Sequence, residues 1–142
     1  TVAEPTINAP EWSFDLPENY TPDFPTMPGE TTGTQLRLIR GMFCMSQRDF
    51  AELLNLKSGD IYTLEVDKRE NPVPTTIHNA VRFLAEQHAH WVSSIDGTTV
   101  NIQWIGYRKI GETVWAPERW WHSVIGVALT QGKNFTLDTS NY

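Results

Sequence analysis

From Thr34 onward apolar residues recur at three- and four-residue spacing: Leu36, Leu38, Ile39, Met42 and Phe43, with Arg37 and Arg40 among them. That period predicts a first helix. Ser46 then offers an N-cap for a second helix that runs to about Leu54, with Phe50, Ala51, Leu53 and Leu54 on one face. Ala51 is small enough there to let another helix approach closely. Asn55 tolerates a left-handed backbone and can turn the chain sharply, and Ser58 is placed to cap a third helix over roughly residues 59–66. Pro72 and Pro74 end that stretch, and Thr75 or Thr76 caps a fourth helix carrying Ile77, Ala80, Val81, Phe83 and Leu84.

The pattern then changes period. Asp96-Gly97 is a turn signal before alternating Val100, Ile102 and Trp104, which predicts one or two strands. Pro117 opens a last helix whose Trp120, Trp121, Val124, Ile125, Ala128 and Leu129 form an apolar stripe ending at Gly132. That stripe is more than a small module buries easily, so it either caps the chain's own core or forms a homodimer interface. Residues 1–32 show neither period and hold six of the nine prolines, which exclude a helix or a central strand and predict an extended arm. Trp12, Phe14, Tyr20 and Phe24 make the arm more aromatic than a solvated linker, so it either trails as a leader or docks on its own body or a partner subunit. The expected fold class is mainly α: a helix-turn-helix bundle of four to five helices with a C-terminal extension of one or two β-strands and a Trp-rich helix, behind a Pro-rich arm. The expected divisions are 1–32, 33–94 and 95–142, the last packed on the same body or at a dimer interface.

Charge changes this picture only when counted by segment. The net charge is −6, yet residues 1–32 hold six acidic residues and no Lys or Arg, while the rest of the chain carries eleven of each sign. Overall acidity therefore does not exclude a nucleic-acid partner for the helical part. No apolar run approaches the roughly 18 residues that cross a bilayer, and no signal core opens the chain, so no membrane partner and a cytoplasmic location are expected. Thr1 in place of an initiator methionine suggests a processed or trimmed start. The single Cys44, among Met42, Phe43 and Met45, is expected to pack in or beside the core. His78, His88, His90 and His122 have no ligand spacing, and no nucleophile constellation or Gly-rich phosphate loop is present, so no catalytic residue, metal or cofactor is expected.

Two helices set steeply by a tight turn are what holds one helix across DNA and directs the next into the major groove. Arg40, Ser46-Gln47, Phe50-Ala51, Ile61, Glu65, Lys68-Arg69 and Pro72 stand in the register of a known pattern. Through them residues 36–84, within a stretch of about 34–90, resemble the helix-turn-helix domain of phage Cro and repressor proteins, also called the xenobiotic-response-element type. The resemblance implies a DNA-binding transcriptional regulator, a repressor of phage, plasmid or antitoxin kind, that reads double-stranded DNA as a homodimer with its third helix. Gln47, at the positive end of the second helix, would bond a phosphate. Ser58, Gly59, Tyr62 and Thr63 would face the groove, and Lys57, Lys68 and Arg69 would meet phosphates. Arg40 and Glu65 would form an internal ion pair.

The sequence departs from that pattern at several places. Asn55 and Cys44 stand at common glycine positions, Asp67 replaces a glycine, and the loop to Pro72 is one residue longer. The outward face of the third helix, which also carries Asp60, lacks the Arg, Gln or Asn best suited to bidentate base reading. The alternative reading is a protein-protein interaction module that keeps the fold without specific DNA binding. Convergence of Arg48, Lys57, Lys68 and Arg69 around the third helix favours DNA; dilution by Asp49, Asp60 and Asp67 favours a protein partner.

Overall fold

The computed structural model describes residues 12–102, 106–110 and 113–140. Helix α1 (Gly33–Met42) begins at Thr32, whose hydroxyl accepts the Gln35 N–H while the Gln35 side chain accepts the Thr32 N–H, both at 3.1 Å. Helix α2 (Gln47–Leu53) starts the same way: Ser46 Oγ accepts the Asp49 N–H at 3.0 Å and Asp49 Oδ2 accepts the Ser46 N–H at 3.4 Å. These reciprocal bonds satisfy amides that a helix start otherwise leaves open. Helix α3 (Ser58–Asp67) and the long α4 (Thr75–Ser94) complete the four.

Two left-handed residues set the corners. Cys44 (φ 59°) turns α1 into α2, and Asn55 (φ 58°) turns α2 into α3. Asn55 is where the sequence places the sharp turn. Cys44 is exposed rather than packed in the core, because its left-handed backbone aims the side chain out of the bend. Leu38 and Met42 are likewise exposed, Leu38 by 68 %, since the buried side of α1 is narrower than its apolar pattern. Two caps differ from expectation. Ser58 lies inside α3, whose N-cap is Lys57, with Asp60 Oδ2 accepting the Lys57 N–H at 3.2 Å. Pro74 rather than a threonine precedes α4, its fixed φ of −53° leading straight into the helix and its carbonyl accepting the Ile77 and His78 amides.

The C-terminal extension holds more strand than the sequence predicts. After α4 come β2 (Thr99–Asn101), β3 (Tyr107–Lys109), β4 (Trp115–Pro117), helix α5 (Glu118–Thr130) and β5 (Thr136–Asp138). In the arm, β1 (Trp12–Ser13) pairs antiparallel with β3, which pairs antiparallel with β4, while β2 and β5 pair in parallel. Each strand is two or three residues long, too short to show an alternating period, and the pairing is decided across the fold. Trp104, assigned to a strand from the sequence, lies outside the described residues, as does the arm before Trp12. Pro117 sits one step earlier than expected, closing β4 and capping α5. Gly132 (φ 75°) ends the α5 turn as the sequence indicates.

One core runs through the helical part and the extension. Phe43, Phe50, Ile61 and Leu84 share it with Trp120 and Trp121, both fully buried. The apolar stripe of α5 therefore faces this chain's own core, with Leu129 left outside. His88 joins the two parts: its ring lies 5.7 Å from those of Phe43 and Trp120, and Nε2 bonds Ser123 Oγ at 2.9 Å. The described part of the arm packs on the body. Trp12 stands edge-on to Trp121 and Phe24 to Phe83, and the Met27 N–H donates to Asn79 Oδ1 at 2.9 Å. No helix among the described residues is long and apolar enough to cross a membrane.

Candidate nucleic-acid interface

Glu65 is the centre of the joint that fixes α3. Arg40 Nε donates to Glu65 Oε2 at 2.7 Å and Arg40 Nη2 to Oε1 at 3.0 Å, the fork geometry that matches guanidinium to carboxylate. Arg40 Nη1 also donates to the Met45 carbonyl at 2.8 Å. The Glu65 side chain is 2 % exposed and that of Arg40 14 %. Gln47 joins them, its Nε2 donating to Glu65 Oε1 at 3.0 Å. Gln47 is thus half-buried and held by the ion pair at the start of α2, and not a loose surface amide.

The pair leaves one side of α3 outward. Ser58, Gly59, Tyr62 and Thr63 are exposed while Ile61 and Glu65 point inward, the division a helical period requires. Lys57, Lys68 and Arg69 are exposed as well, but they do not converge on one spot. Arg69 shares a cleft of about 340 Å³ with Arg37, Gln47 and Tyr62. Lys57 and Ser58 line a larger cleft of about 800 Å³ with Arg48 and, from the arm, Leu16, Pro17, Asn19 and Tyr20. Lys68 faces a third groove, which includes Glu30 and His78. Cations therefore stand at both ends of the outward face of α3.

The acidic residues are arranged against helix ends. Asp49 and Asp60 accept the N-terminal amides of α2 and α3, which absorbs part of their charge locally. Glu52 accepts the Tyr107 hydroxyl at 2.7 Å; burial first, and then that carboxylate, raise the Tyr107 pKa above its ordinary value. Tyr20, whose phenolic oxygen accepts the Trp115 N–H at 3.4 Å, is pushed up to about 12, burial outweighing that bond. Asp67 is exposed.

Arg37 is the residue the sequence reading passed over. It lies one turn before Arg40 on the same side of α1, a spacing that could have flagged it. The arm beside Lys57 carried no such signal, because nothing local indicates which surface an extended segment crosses. Among the described residues no group of three or more His, Cys, Asp or Glu could hold a metal ion. Comparison of the chain with protein-family models, with curated proteins and with solved structures gave no match.

Proposed function

We propose that this chain is a DNA-binding transcriptional regulator of the Cro and phage-repressor kind, acting in the cytoplasm as a homodimer that represses a promoter. The observation that supports this most directly is the outward face of α3, fixed from behind by the Arg40–Glu65–Gln47 joint and flanked by Arg37 and Arg69 at one end and Arg48 and Lys57 at the other. A helix presented in this way enters a major groove about 12 Å wide, while cations at its two ends meet the phosphate strands that border it. Tyr62 and Thr63 would then touch base edges or thymine methyls.

A second reading has its own support. The reading face carries no Arg, Gln or Asn, and large apolar side chains are exposed on both helices, Tyr62 on that face and Leu38 on α1. An interaction module that binds a protein through α1 and α3 fits those features. Selection of bound fragments from a random DNA library separates the two. On the fragments it recovers, Thr63→Ala should weaken preferred-sequence binding more than random-sequence binding. Lys68→Ala should weaken both alike and reduce the salt slope by about 1. A selection that enriches no sequence returns α3 to the protein-binding reading.

A further inference from the structure

Residues 14–19 form a bridge between two anchored stretches of the arm. Before them, β1 pairs with β3 and Trp12 packs edge-on against Trp121 at 6.3 Å. After them, Tyr20 accepts the Trp115 N–H, the Asp23 N–H donates to Thr113 Oγ1 at 2.9 Å, and Phe24 packs on Phe83. Between the anchors the described residues show no hydrogen bond from the bridge to the helices, Phe14 is 74 % exposed, and Asn19 has a left-handed φ of 58°. Between its ends only Leu16 is half-buried, so the hold there is packing and not hydrogen bonding.

Its position gives it a consequence. Leu16, Pro17 and Asn19 wall one side of the cleft whose other side includes Arg48, Lys57 and Ser58. A duplex that seats the first turn of α3 brings a phosphate strand past Lys57 and Arg48, through the space that the bridge borders. Asp15 and Glu18, both exposed, are chain neighbours of those lining residues, so the bridge sets two carboxylates beside the cations, an attraction that salt screens.

We propose that residues 14–19 are an autoinhibitory strap, an acidic segment that lies beside the start of α3 and must swing away from Arg48 and Lys57 before DNA can seat. This rests on the DNA reading above. The strap has a closed and an open state, DNA binds the open one, and the measured affinity falls by the fraction of time the strap is open.

The test uses the full chain and a fluorescent mixed-sequence duplex at low and high salt. Tyr20→Ala removes the first contact of the rear anchor without changing charge, Glu18→Gln removes one strap carboxylate, and Glu86→Gln, at an exposed site on α4, is the control for net charge. A strap closed nine-tenths of the time predicts tighter binding by Tyr20→Ala, up to about tenfold if the strap is fully freed. Glu18→Gln should bind more tightly at low salt only, and Glu86→Gln should match the parent. Parent affinity in both strap variants, with their thermal midpoints showing them folded, overturns the strap and leaves the DNA reading standing. Absence of DNA binding in every form overturns the DNA reading and the strap with it. If Tyr20→Ala does not fold, Glu18→Gln against Glu86→Gln decides alone.

Discussion

Glu65 shows how much one side chain can fix. Its carboxylate accepts bonds from Arg40 and Gln47 at the point where α1, α2 and α3 meet. Glu65→Ala leaves the Arg40 guanidinium, 14 % exposed, without its carboxylate. Removing one partner of a buried pair costs about 3 kcal/mol or more. For a chain of this size that lowers the thermal midpoint by about 10 °C. An unchanged midpoint would show that the joint is dispensable. Cys44 illustrates the opposite case at the same scale. Nothing around its exposed side chain explains the choice of cysteine at a left-handed position where glycine would carry no steric penalty.

At the scale of elements, the placement of α3 depends on α1 as well as on the tight turn. Gly33, the first residue of α1, donates its N–H to the Lys68 carbonyl at 2.6 Å, and a Cβ built there would collide with the backbone carbonyls of Leu64 and Lys68. Gly126, inside α5, has open space where its Cβ would stand. The two glycines should therefore respond to alanine with opposite signs. Gly126→Ala gains up to about 1 kcal/mol of helix propensity. Gly33→Ala forces the end of α3 away from α1 and loses about 1–3 kcal/mol. Denaturant midpoints of the two variants measure both, and a stabilised Gly33→Ala would refute the close contact. The first three helices and the turn at Asn55 were legible in the sequence because period and turn chemistry agree there, although of their caps only Ser46 stood where the sequence put it. Of the strands of the extension only β2, at Val100, was signalled, by the turn before it; β3, β4 and β5 were not, since three-residue strands have no period of their own.

For the whole molecule, His88 couples the helical part to the extension. Ser123 Oγ donates to the Trp120 carbonyl at 2.6 Å, so it accepts from His88 Nε2–H, and the ring lies against Phe43 and Trp120. Burial lowers the His88 pKa from its ordinary 6.5. The unfolded chain then takes up a proton that the folded chain refuses. The contribution of His88 is complete above about pH 6.5 and is lost as pH falls below it toward the depressed folded value. Thermal midpoints at successive pH values should fall below that point in the parent and fall less in His88→Gln. Identical profiles would remove His88 from the acid sensitivity of the fold.

The sequence by itself determined the local matters: the α1 to α3 frame, the left-handed corner at Asn55, and an arm unable to be helical. Each depends on residues within a few turns of one another or on a spacing that a period reveals. Tertiary structure alone decided that the α5 tryptophans close this chain's own core, that β5 returns to β2, that Gln47 binds Glu65, and that the arm crosses beside Lys57. Those outcomes depend on which surfaces meet after the chain folds back on itself, a matter of non-local packing that no window of the sequence contains.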